Sequence, residues 1–239
     1  KIIRDFKNRQ ITNYKLQITN KPSSFAKATE DKQNSNFQNP KPQILKPTPY
    51  FHTDACQAAE YLEMNTQKLG VDLMTVNGSK MYGPKGVGFL YIKKGIKLTP
   101  IARGGGQESG IRPGTENTAG IIGLSKAFEI AQIEKEKEKK RLTALRDYFI
   151  KKLHEKISHI ILNGDTDIRL PNNVNVSILG IEGESALLYL DEKGVSCATG
   201  SACTSNSLDP SHVIMALGRP YEYAHGSLRF SLGKITTKK

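Results

Sequence analysis

The sequence predicts an α/β protein with a parallel or mixed sheet, followed by a smaller α+β lobe. Strand-like and helix-like runs alternate from Pro49 onward, which favours a sheet covered by helices. Two short apolar runs, residues 71–76 and 87–92, are bounded by turn signals and read as strands. One long stretch of helical periodicity, residues 116–157, then separates this part from a second run of short strands and helices.

Residues 1–48 stand apart from the rest of the chain in composition. They are rich in Lys, Asn, Gln, Thr and Ser, as in Gln33-Asn34-Ser35-Asn36, and carry a short echo, Gln10-Ile11-Thr12-Asn13 and Gln17-Ile18-Thr19-Asn20. Such a composition does not bury enough apolar surface to offset its ordering entropy, so a disordered or unrelated N-terminal segment is expected. Residues 49–115 form the first domain: a β-prone stretch at 49–53, a helix at 55–62, the strand 71–76 closed by Asn77-Gly78-Ser79, the strand 87–92, and a glycine-rich loop at 103–115. In the connecting helix, 116–157, apolar residues recur at Ile121, Leu124, Phe128 and Ala131 and again at Leu142, Leu145, Phe149 and Leu153. The intervening charged run from Glu134 to Arg141 reads as a solvated face bridging two lobes. Residues 158–239 form the small C-terminal domain, with strands at 173–179 and 195–198, a helix at 183–193 between them, a helix at 210–217 entered through Asp209-Pro210, and a last strand at 227–232.

Charge and composition narrow the function. The formal net charge is +12, from 35 Lys+Arg and 23 Asp+Glu, but the excess is dispersed and no zinc-finger spacing or aromatic-interleaved basic motif accompanies it. A nucleic-acid partner is therefore not expected. No apolar run approaches the roughly 18 residues of a membrane span, and no signal-peptide pattern opens the sequence, so no membrane partner is expected either. Cys56, Cys197 and Cys203 make an odd count without a CxxC pair, which suits a reducing cytoplasm and neither a disulfide framework nor a structural zinc site.

The candidate chemistry lies in three places. Cys203 sits in Gly200-Ser201-Ala202-Cys203-Thr204-Ser205, a loop of small residues from which a thiolate reaches a substrate. Asp54 and Lys80 each follow a predicted strand, and in open α/β sheets ligands bind beyond the strands' carboxyl ends. If those strands are neighbours, a carboxylate and an amine converge on one crevice. Lys80, flanked by Met81 and Tyr82, is expected to be partly desolvated and hence nucleophilic toward a carbonyl. A carbonyl cofactor that needs both groups is pyridoxal 5'-phosphate: the lysine forms its Schiff base and the carboxylate keeps its ring nitrogen protonated. Lys85 is the competing lysine and is assigned a backbone or phosphate-neighbour role, while Cys56 and Cys197 read as packing residues.

Six segments occur in a recognisable order: His52-Thr53-Asp54-Ala55-Cys56-Gln57, Asn77 to Gly86 around Lys80, Gly104-Gly105-Gly106-Gln107-Glu108, Arg112-Pro113-Gly114-Thr115, Gly200-Ser201-Ala202-Cys203, and Leu228-Arg229-Phe230-Ser231. Together they resemble the cysteine desulfurases of the class V aminotransferase group, in the branch serving iron–sulfur cluster assembly. The resemblance covers the sequence from about Pro49 onward. It implies a partial fold-type-I large domain plus a small α+β C-terminal domain, and a homodimer. By that resemblance Lys80 would carry pyridoxal 5'-phosphate, Asp54 would pair with its ring nitrogen, and Gln57 would bond its phenolic oxygen. Thr115 would reach the phosphate in the other subunit, Arg229 would grip the carboxylate of L-cysteine, and Cys203 would take the sulfur as a persulfide. The sulfur would pass to a scaffold or thiolation acceptor protein. A selenocysteine lyase, another class V aminotransferase, and a non-catalytic dimerising or acceptor-binding remnant are the alternatives. Two departures from the family pattern stand out. Ser79 and Asn77 occupy phosphate-contacting positions where His and Ser are common. The long N-terminal portion of family members has no counterpart in residues 1–48, so low activity is expected of the chain alone.

Overall fold

The computed structural model describes residues 49–200 and 210–238. The expected N-terminal segment and the loop bearing Cys203 lie outside the described residues.

The first sheet is mixed and three-stranded: β1 (His52–Asp54), β2 (Leu73–Asn77) and β3 (Gly88–Ile92) lie in that order, with β1 parallel to β2 and β2 antiparallel to β3. Period-two alternation sends Met74 and Val76 of β2 into the core, at 2% and 1% exposure, where they join Ala55, Ala59 and Met81. Gly88, opposite Asn77, is required by space, since a Cβ there would lie 2.5 Å from the Val76 carbonyl oxygen.

The expected helix at 55–62 is absent as a regular element; the segment is a run of turns. Four-residue bonds from Ala59 N–H to Ala55 and from Leu62 N–H to Ala58 alternate with three-residue bonds from Ala58 to Ala55 and Tyr61 to Ala58. The Asp54 carboxylate accepts the Cys56 N–H at 2.9 Å at the entry to this run of turns. A short helix not anticipated from the sequence, α1 (Thr66–Leu69), comes next instead, capped by the Asn65 side chain and ended by left-handed Gly70.

The long helix α2 (Thr118–Lys156) matches its expectation to within two residues at each end. At 39 residues it is about 58 Å long. Its N-terminal half buries Leu124 and Ala131 against the first sheet, with Phe128 edge-on to Phe89 at 5.7 Å. Its C-terminal half places Phe149, Ile150 and Leu153 against a second core, with Phe149 edge-on to Phe230 at 5.2 Å. Ile121 departs from the expected pattern and is 42% exposed. The charged run also differs from a purely solvated face. Glu134 pairs with Lys234 at 2.7 Å, and Arg141, held by Glu138, donates to the carbonyls of Gly233 and Thr236 at 3.0 and 2.8 Å.

The second sheet has the order β4-β5-β7-β6, antiparallel throughout: β4 (Ile160–Leu162), β5 (Asn173–Ile178), β6 (Ala198–Thr199) and β7 (Ser227–Ser231). Strand β4 is not anticipated by the sequence, and the strand expected at 195–198 shrinks to β6. Helix α3 (Gly183–Glu192) begins where the Glu182 carboxylate accepts the N–H groups of Glu184 and Ser185. The expected helix at 210–217 is α4 (His212–Ala216), and its N-cap is Ser211, so the Asp209-Pro210 pair precedes the helix and does not open it. A further short helix, α5 (Tyr221–His225), leads into β7. No helix among the described residues is long and apolar enough to cross a membrane.

Val174 and Val176 of β5 are fully buried and Leu228 of β7 is 3% exposed, so the pair β5–β7 is the centre of the second core. Truncation of Leu228 to Ala is expected to cost about 2–5 kcal/mol, read as a lowered urea midpoint with an unchanged slope.

Candidate active site at the end of the first sheet

The parallel register pairs His52 with Leu73, Thr53 with Met74 and Asp54 with Thr75. Asp54 is thus the last residue of β1, and Lys80 lies three residues beyond the end of its neighbour β2, in the 3-10 turn Gly78–Met81. The two strands are neighbours, which is the condition that the sequence reading set. Thr75, opposite Asp54, holds the His52 ring through a 2.9 Å contact between its hydroxyl and Nε2. His52 and Thr75 were not singled out in the sequence. Alternation along β1, which puts His52 and Asp54 on one face, was the available signal.

Cys56 feels the charge of both groups. Burial, and then the neighbouring Asp54 carboxylate, push its thiol up to about 11, while the Lys80 ammonium pulls the other way. Its Sγ is 3.9 Å from the Thr75 carbonyl oxygen. In turn the Cys56 thiol and backbone N–H hold the Asp54 carboxyl below the usual carboxylate range. Asp54 therefore carries a full negative charge across neutral pH, beside an amine at the same end of the sheet.

Packing of the Lys80 turn is tight. Gly78 and Gly83 bring its backbone against α2: a Cβ on Gly83 would lie 3.0 Å from the Ala127 Cβ, and one on Gly78 would lie 3.1 Å from Leu124. Asn77 caps the turn, its Oδ1 accepting both the N–H and the hydroxyl of Ser79 at 2.8 Å. These two residues, assigned to phosphate by resemblance, also build the turn that carries Lys80.

The expected desolvation of Lys80 is not found: its side chain is exposed. Met81 turns into the core at 3% exposure and Tyr82 is engaged by the C-terminal segment, so neither covers the amine. Lys85 and Gln57 are exposed, and Gln57 stands in the run of turns after Asp54. Thr115 is exposed in the loop before α2, just after left-handed Gly114, away from the sheet-end cluster in sequence and in element. Arg229 is exposed on β7 and belongs to the second sheet, where it pairs with Asn175 and Ala198. Strand β6, which flanks Arg229, ends next to Gly200, the last described residue before the Cys203 loop. The register therefore sets Ala198, two residues before Gly200, beside Arg229. Cys197 is half-buried against the second core, as a packing residue.

Residues 39–239 match the aminotransferase class-V family. The cysteine desulfurase IscS of Dictyoglomus turgidum is 56% identical over 190 residues, covering 80% of this chain and 48% of that protein. The cysteine desulfurase IscS of Clostridium botulinum is 51% identical over 192 residues, with the same two shares of 80% and 48%. Among solved structures, a NifS-like protein aligns with a TM-score of 0.69 at 34% identity, over 78% of this chain and 48% of that one. The NifS-like protein of Rickettsia africae aligns with a TM-score of 0.71 at 28% identity, over 79% of this chain and 49% of that one. The chain belongs to the class-V aminotransferase family, and its fold is part of the fold-type-I architecture of the NifS-like proteins. It spans about half the length of the curated relatives it matches.

The electrostatics set two measurable outcomes in solution. With its folded-state pKa depressed, ionised Asp54 contributes stability that is present above the ordinary carboxylate value of about 3.9 and is lost as pH falls through the folded value, so Asp54→Asn should flatten that acid limb of a pH–stability curve. Cys56, with its thiol pushed up to about 11, should react slowly with iodoacetamide at pH 7.5 and progressively faster as pH rises toward that value, as read by peptide mass spectrometry.

Proposed function

We propose that this chain supplies the lysine, carboxylate and cysteine-loop part of a pyridoxal 5'-phosphate-dependent cysteine desulfurase. It would convert L-cysteine to L-alanine and load the sulfur on Cys203. The observation that carries this reading is the parallel β1–β2 register, which gathers an ionised Asp54 and the Lys80 amine at one carboxyl end of the sheet. Similarity to cysteine desulfurases at 51–56% identity supports the choice of reaction.

The donor set fits the cofactor. An amine is available to an aldehyde, and a carboxylate held ionised is available to a protonated ring nitrogen. When bound, pyridoxal 5'-phosphate supplies an electron sink for the carbanion formed at the substrate Cα. Lys80 would hold it through Nζ and, once released, move the proton at the substrate Cα. Asp54 would keep the proton on the ring nitrogen, Gln57 would bond the phenolic oxygen, and Asn77 and Ser79 would face the phosphate. Thr115 would contact the phosphate held in a second protomer, which makes the enzyme a homodimer. Arg229 would bind the substrate carboxylate through its two-pronged guanidinium.

Cys203 thiolate would attack the substrate sulfur. A sulfur–sulfur bond forms, the Cβ–S bond breaks with its electron pair staying on carbon, and protonation of that carbon gives alanine. The persulfide would pass to a scaffold or thiolation acceptor. A cytoplasmic setting agrees with three cysteines in a chain without a disulfide framework.

Alanine and sulfide release from L-cysteine with added cofactor tests the proposal. Cys203→Ser is expected to abolish sulfide release while the cofactor's absorption band persists, and Lys80→Ala is expected to remove the band and lower turnover roughly hundredfold or more. Undiminished sulfide release by Cys203→Ser would rule out the assigned role of the thiol. A folded dimer with neither band nor alanine would favour a non-catalytic role.

A further inference from the structure

Tyr82, two residues after Lys80, adopts a left-handed backbone conformation, φ 61° and ψ 19°, as the C-cap of the Lys80 turn. A bulky aromatic residue seldom holds this conformation without outside support. Core burial does not supply that support, since Tyr82 is 59% exposed. The support comes from 152 residues away in sequence: the backbone N–H of Lys234 donates to the Tyr82 hydroxyl at 2.8 Å. The Lys234 ammonium lies 5.2 Å from the centre of the Tyr82 ring and pairs with Glu134 of α2 at 2.7 Å.

Residues 233–236 are themselves a closed turn. Thr236 N–H donates to the Gly233 carbonyl at 3.0 Å, and Gly233 N–H donates to the Thr236 hydroxyl at 2.9 Å. Arg141 of α2 fastens the Gly233 and Thr236 carbonyls of this turn, at 3.0 and 2.8 Å, while Glu138 holds the guanidinium in place. Gly233 packs close to Tyr82: a Cβ there would lie 2.8 Å from the Tyr82 hydroxyl. The same helix α2 backs the Lys80 turn through Gly78 and Gly83. The turn is thus gripped from one side by α2 and from the other by a C-terminal segment tied to α2.

We propose that Tyr82 is a positioning residue for Lys80, and that the turn 233–236 is the clamp that sets it, through the bond from the Lys234 amide to the Tyr82 hydroxyl. The inference rests on the reading of Lys80 as the cofactor-holding amine. Tyr82→Phe removes the acceptor hydroxyl, and Lys234→Pro removes the donor N–H while leaving Tyr82 intact. Lys234→Ala keeps the amide and serves as the control.

Two readouts decide. In hydrogen–deuterium exchange of the full chain, the amide of Gly83, which closes the turn onto the Gly78 carbonyl, should exchange at least tenfold faster in Tyr82→Phe and in Lys234→Pro, and the double variant should add nothing further. In borohydride trapping with pyridoxal phosphate followed by peptide mapping, the ratio of label on Lys80 to label on Lys85 should fall at least fivefold in both variants and stay near the parent value in Lys234→Ala. Unchanged exchange at Gly83 in both variants overturns the clamp. If the parent protein traps no label on Lys80 yet the exchange effect appears, the clamp stands and the cofactor role of Lys80 falls.

Discussion

The parallel pairing of β1 with β2 is the constraint on which the candidate site depends. It fixes Asp54 opposite Thr75, which lies five residues before Lys80. Slipping this register by one residue would turn Asp54 to the other face of the sheet and separate the carboxylate from the amine. The tight packing at Gly78, Gly83 and Gly88 guards the same geometry, because each glycine admits a backbone or helix surface that a side chain would push away.

Helix α2 gives that site a rigid backing. One half of it seals the core beneath the first sheet and the other half the core of the second, so both sheets share a single beam. Its middle, the most highly charged stretch, does not idle in solvent. Arg141, held by Glu138, captures the backbone carbonyls of Gly233 and Thr236, and Glu134 pairs with the Lys234 ammonium.

Much of this was legible in the sequence because it is local. Helix α2 declared itself by repeated apolar spacing, and β2 and β3 by short apolar runs with turn residues between them. The elements that differed were decided by competition that periodicity does not record. Residues 55–62 mix three- and four-residue bonds in place of a regular helix, and α4 starts at His212 and not at Pro210. Asp54 and Lys80 were found from strand ends and glycine placement, whereas Asn77 and Ser79 entered only through the family resemblance. The hydroxyl contact of Thr75 with His52 required knowledge of strand pairing, and the role of Tyr82 required a contact across the whole chain. The exposure of Lys80 went against its apolar neighbours because Met81 and Tyr82 each found partners elsewhere.

The contact between Tyr82 and Lys234 also has a consequence for biosynthesis. A ribosome adding about 5–20 residues per second needs on the order of ten seconds to travel the 152 positions between them. Throughout that interval the first sheet is free to form, yet the turn bearing Lys80 has no distal fastening. Synthesis as far as Lys234, and not the folding of the first sheet, is the moment at which the bond to the Tyr82 hydroxyl can first form.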